Sequence, residues 1–171
     1  MRHLVPAGIF FTLLACSPPS EPPAVAPPAA IEPAPEPAGS SDQTVGGDGS
    51  PIRLEPLSAA EVREAELPGE LACSFDTGSG PLLIASGDVA SRDPAMGIVK
   101  VGDYVERVAA PGGFDGMVKG AVFTGLGKTI RIAITGAPTA GGESPPSPAT
   151  LTYQRADGAS RTIPGQWTCG P

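Results

Sequence analysis

From Glu70 to Pro171 the chain is written in short apolar stretches cut by glycine and proline, and that punctuation limits what it can become. With 23 glycines and 22 prolines in 171 residues there is little room for helices of ordinary length. Between the breakers the side chains follow the two-residue period of a strand. Thr129-Ile130-Arg131-Ile132-Ala133-Ile134-Thr135 is the clearest case: three isoleucines share one face while Thr, Arg and Ala occupy the other, which predicts a half-buried strand. Residues 71–75, 82–85, 97–101, 104–108, 121–124, 150–154, 160–163 and 166–169 predict further strands. Gly125-Leu126-Gly127-Lys128 predicts a tight hairpin, and Asp157-Gly158 is a turn dipeptide that lets Ser160 to Ile163 return antiparallel.

Short strands with frequent turn signals and no strand–helix alternation predict an all-β domain, a small antiparallel sandwich or barrel. One short helix precedes the strands. In Leu57-Ser58-Ala59-Ala60-Glu61-Val62, Ser58 can cap, Glu61 can reach back to it, and Leu57 can staple onto Val62. Leu67-Pro68-Gly69 ends that helix after about two turns, so it is expected to lie as a lid over one end of the sheet. The aromatic bulk available to the domain is Phe75, Tyr104, Phe114, Phe123, Tyr153 and Trp167, so the core is expected to be largely aliphatic.

The N-terminal third reads differently. Arg2 and His3 give a short polar start, and the apolar run from Leu4 to Leu14 has the length of a signal-peptide core, too short to span a bilayer. Leu13-Leu14-Ala15-Cys16 resembles the lipobox of bacterial lipoproteins. That resemblance implies that residues 1–15 are removed, that the Cys16 thiol carries a diacylglycerol, and that the protein is held to a membrane by lipid. Ser17 stands where an aspartate retains such proteins in the inner membrane, so the resemblance implies an outer-membrane location facing the periplasm.

Residues 16–51 are expected to form a tether and residues 52–171 a single domain. From Ser17 to Pro51 there are ten prolines, five acidic residues and no Lys or Arg, and almost nothing apolar beyond alanine. Such a composition cannot offset chain entropy by burial. As a flexible coil this stretch would span roughly 30 Å, and as polyproline about 110 Å. From Ile52 onward ten basic residues stand against thirteen acidic ones, with no basic run, which argues against a nucleic-acid partner. With Cys16 assigned to lipid, Cys73 and Cys169 remain. In an oxidising compartment these two thiols are expected to pair, closing nearly the whole domain.

Catalytic chemistry finds few supports. His3 is the only histidine, so the domain lacks the usual general base of serine and cysteine triads, and two distant cysteines do not make a metal site. Asp76, Asp88, Asp93, Asp103, Glu106 and Asp115 are the candidate acid–base groups, and they follow no glycosidase pattern. Gly125-Leu126-Gly127 has no following helix or Lys-Ser pair and is a turn rather than a phosphate cradle. No cofactor or metal is expected. Two surfaces are candidates for partner binding. The first is the long interruption after Gly136, where Gly141-Gly142-Glu143-Ser144-Pro145-Pro146 presents a single charge. The second is Phe114 and Met117 in the glycine-rich turn Pro111-Gly112-Gly113-Phe114-Asp115-Gly116-Met117, as an apolar contact patch or as side chains folded back onto the core.

The outline of an anchored β domain with a cysteine near each end also resembles the membrane-bound inhibitors of c-type lysozyme. Gly112-Gly113-Phe114 and Lys119-Gly120 loosely match that family's loop and strand motifs, without the tyrosine. The expectation from all of this is a lipid-anchored, non-catalytic envelope protein that binds an envelope protein or cell-wall partner. A periplasmic lysozyme inhibitor and a carboxylate-dependent envelope hydrolase are the alternatives.

Overall fold

The computed structural model describes residues 43–171. Cys16 and the signal-like segment lie outside the described residues. The elements are β1 (Leu54–Glu55), α1 (Ala59–Glu64), β2 (Leu71–Asp76), β3 (Pro81–Gly87), β4 (Ala95–Val101), β5 (Tyr104–Ala110), β6 (Val122–Gly125), β7 (Lys128–Ile134), β8 (Ser147–Arg155) and β9 (Ser160–Gly170).

Each strand from β2 to β9 pairs antiparallel with the next, and β9 pairs back onto β2. The domain is therefore a closed, eight-stranded up-and-down barrel, which leaves no long sheet edge exposed. β1 adds beside β4 through Leu54–Val101 and Glu55–Lys100, continuing the row that β3 leaves at Val99. The barrel closes between its first and last strands, and there Cys73 and Cys169 sit directly opposite each other and form the expected disulfide, with Cα atoms 4.0 Å apart.

The interior is filled by side chains. Trp167, Phe75, Phe123, Leu83, Ile130, Leu151, Val99 and Val108 are all essentially inaccessible, and the Phe123 and Trp167 rings meet edge to face at 6.4 Å. An eight-stranded barrel is just wide enough for such a filling.

Three sequence expectations change in detail. The two strands read at 160–163 and 166–169 are one, β9, running through Pro164 and Gly165. Proline is tolerated there because β2 pairs with β9 only from Gln166 onward, so Pro164 has a strand partner on the β8 side alone. Gly165 sits where the chain passes closest to β2: a Cβ would lie 2.6 Å from the Asp76 carbonyl oxygen and from Phe75. On β7, Ile130 and Ile132 are buried as the alternation requires, but Ile134 is 37% exposed because β7 runs past the start of β6.

The helix is the third change. It lies on the outer wall of the barrel rather than over an end. Ile84 and Ile98, partners on β3 and β4, point outward and would face water; Leu57, Val62, Ala65 and Leu67 cover them. The capping box forms as read, with Ser58 accepting from the Glu61 amide and the Glu61 carboxylate accepting from the Ser58 amide. Glu61 also pairs with Lys100 on β4 at 2.8 Å. Lys100 first, then the Ser58 amide and hydroxyl, lower the Glu61 carboxyl to about 2. Arg107 on β5 donates to the Ala65 carbonyl at the end of α1.

Contacts with the barrel begin before Ile52, where composition alone places the start of the domain. Val45 exchanges two 2.8 Å backbone bonds with Ser160, and Thr44 Oγ1 accepts from the Ile52 amide at 2.8 Å. Arg155 at the end of β8 clamps the segment, donating to Ser50 Oγ at 2.7 Å, to Asp48 Oδ1 at 2.8 Å and to Asp157 Oδ2 at 2.7 Å. The Ser50 hydroxyl and amide, with Arg155, bring the Asp48 carboxyl down to about 2.

Candidate binding face

Because all strands are antiparallel neighbours, their connections fall alternately at two ends of the barrel. One end carries the tight connections 77–80, 102–103, 126–127 and 156–159; the other carries the long ones, 88–94, 111–121 and 135–146. Loops on a rigid scaffold are where recognition side chains concentrate, which makes the long-loop end the candidate face.

One of its three loops, 111–121, plugs this end and is held by a second, 88–94. The 111–121 loop is bonded to the 88–94 loop by Gly113 N to the Asp93 carbonyl (2.9 Å), Phe114 N to the Asp88 carbonyl (3.0 Å) and Ala90 N to Asp115 Oδ2 (2.8 Å). Inside, the Met117 carbonyl accepts from the Trp167 indole N–H at 2.9 Å and from the Gly120 amide at 2.9 Å. Met117 is fully buried and Phe114 is half-buried against the core. Both side chains are thus folded back toward the core, the second of the two arrangements the sequence allows. The glycines around them let the loop turn back on itself, and burying Met117 over Trp167 removes more apolar surface from water than displaying it would.

The third loop stands clear. Residues 133–143 are all exposed, and the Thr139 amide and hydroxyl close the loop onto the Pro146 carbonyl at 2.9 and 3.1 Å. Gly141, Gly142 and Glu143 are at its exposed tip; a Cβ on either glycine would meet nothing within 4 Å. Ser144 is less exposed than the other three. It is half-buried with its side chain beside Gly170 of the C-terminal strand.

Three of the six carboxylates considered for acid–base work have partners for their side chains. Asp76 accepts from the Gly78 amide, Asp115 from Ala90, and Glu106 pairs with the almost buried Lys128. Burial first, and then the Glu106 charge, pushes the Tyr153 hydroxyl up to about 12, so it stays neutral across the physiological range. Among the described residues no cluster of three or more Asp, Glu, Cys or His has the geometry to hold a metal ion.

Sequence reading passed over two features. One is the Arg155 clamp on Asp48; its signal was the halt of the proline run after Pro37 and the Thr44-Val45-Gly46-Gly47 that follows. The other is a groove on the side of the candidate face, between the 111–121 loop and the end of β7, lined by Lys119, Val122, Arg131 and Ile134 among others. Alternation placed Arg131 on the outward face of β7, but nothing local marked Lys119 as its neighbour. The chain matches no protein-family model, no curated protein and no solved structure closely enough to establish kinship.

Proposed function

We propose that this protein is a non-catalytic, lipid-anchored envelope protein whose barrel serves as a rigid platform presenting the 135–146 loop to a macromolecular partner. The observation that carries the reading is the contrast at one end of the barrel. The interior is filled with side chains and plugged by Met117, while residues 133–143 stand exposed beside it. The lipobox-like Leu13-Leu14-Ala15-Cys16 and Ser17 support anchoring at Cys16 to the outer membrane, and the proline-rich stretch after it supports presentation at a distance.

The test is in-cell crosslinking from position 143 followed by mass spectrometry. A reproducible partner lost in Glu143→Ala supports the loop; capture that ignores the change moves the contact elsewhere. Anchoring is tested separately by fatty-acid labelling and fractionation: wild type should take up label and Cys16→Ala should leave the membrane. Tight inhibition of c-type lysozyme would make the protein a lysozyme inhibitor instead, and hydrolytic turnover abolished by one carboxylate substitution would make it an enzyme.

A further inference from the structure

We infer that the groove between the 111–121 loop and the end of β7 is a docking site for an extended acidic peptide segment, bound as an added strand. The inference rests on the binding-module reading and names the chemistry of its partner.

Charge is the first observation. The chain carries 18 acidic against 11 basic residues, and several of the described cations are engaged elsewhere on the barrel: Lys100 with Glu61, Lys128 with Glu106, Arg155 with Asp48 and Asp157, Arg107 with the Ala65 carbonyl. Lys119 and Arg131 have no ion pair or hydrogen bond among the described residues, and both line this one open groove of about 570 Å³, which no carboxylate lines. Two unpaired cations therefore line one groove of an acidic protein, and an anionic ligand there would meet both.

Backbone is the second. The Ile132 amide bonds to the Ala121 carbonyl, the last link between β7 and the chain leading into β6. β7 continues through Ala133 and Ile134, and alternation turns the N–H and C=O of Ile134 to the same side as those of Ile132, toward the groove. On the other flank Ile134 pairs with Ala149, so only this side is open. Ile134 is the residue of β7 whose N–H and C=O open to the groove, and a backbone laid there can pair with it, which favours a peptide over a polyanion without amides. Ile134 and Val122 both line the groove and supply apolar surface for side chains of the added segment.

The test uses the detergent-solubilised full chain and a labelled octapeptide alternating threonine and glutamate, read by fluorescence anisotropy. Wild type should bind it, and Lys119→Glu with Arg131→Glu should weaken binding by about tenfold or more. The same reversal should create binding for the threonine–lysine peptide, a gain that a misfolded variant cannot show. N-methylation of alternate amides in the glutamate peptide should abolish binding, and the Ile134 amide should gain hydrogen-exchange protection in the complex. Equal affinity in wild type and the double reversal, or equal affinity of the N-methylated peptide, overturns the inference. Partner capture from position 143 that survives the double reversal overturns the groove while leaving the binding-module reading in place. Loss of capture together with peptide binding supports it.

Discussion

The indole N–H of Trp167 donates to the carbonyl of Met117 across 2.9 Å of buried space, tying the last strand of the barrel to the loop that plugs it. Trp167→Phe keeps the ring and removes the donor. The Met117 carbonyl retains the Gly120 amide, so the cost is one buried hydrogen bond plus the packing lost with the smaller ring, about 1–3 kcal/mol. Urea unfolding should show the lower midpoint with an unchanged slope. Hydrogen exchange should speed up first in residues 111–121; uniform speeding across the barrel would mean that the plug is not held by this bond.

The disulfide acts on the same end. Cys73 and Cys169 are 96 residues apart in sequence and face each other where β2 meets β9, so the bridge holds together the two strands whose pairing closes the barrel. For a loop of that length the chain-entropy model assigns about 4–5 kcal/mol. Cys73→Ser with Cys169→Ser should lose most of that in denaturant unfolding. A loss below about 1 kcal/mol would show that the β2–β9 ladder and Trp167 packing close the barrel unaided.

Acid should release the N-terminal clamp before it unfolds the barrel. Asp48 is held at about 2 in the folded protein against an ordinary 3.8. A depressed carboxyl contributes stability that is present above its unfolded value and is lost as pH falls through the folded one, so the window runs from roughly pH 4 down to pH 2. The Val45 amide should lose exchange protection in that window. Arg155→Gln should remove that protection at neutral pH and leave little of the acid transition. A Val45 amide equally protected at pH 2 and pH 7 would show that the backbone pair with Ser160 holds without the clamp.

Much of the fold was legible because strand period and turn chemistry are local. Ile130 and Ile132 announced their face two residues at a time, Leu126-Gly127 and Asp157-Gly158 sit in the turns they name, and the Ser58–Glu61 box needs only four residues. The barrel in place of a sandwich was not legible, because it depends on β9 meeting β2 from the far end of the chain. Met117 shows the same limit for the candidate site. A methionine among glycines reads as well for a surface as for a plug, and what decides it is Trp167, fifty residues away in sequence. Gly141, Gly142 and Glu143 were legible as an exposed loop because prolines and glycines without apolar side chains have nothing to bury.

The long-loop end should therefore divide sharply in its tolerance of change. Gly113 is buried at φ +55°, and a Cβ there would stand 2.5 Å from the Asp88 carbonyl oxygen. Gly113→Ala combines left-handed backbone with a clash against main chain, for about 1–3 kcal/mol of destabilisation. The tip of the 135–146 loop has no such constraint at Gly141, where the space around a Cβ is empty and the backbone is not left-handed. Gly141→Ala and Glu143→Lys should each leave stability within about 0.5 kcal/mol. Thermal melts of the three variants make the comparison directly. If Glu143→Lys destabilises as much as Gly113→Ala, the loop is part of the folded platform and cannot be the freely exchangeable surface that the binding reading requires.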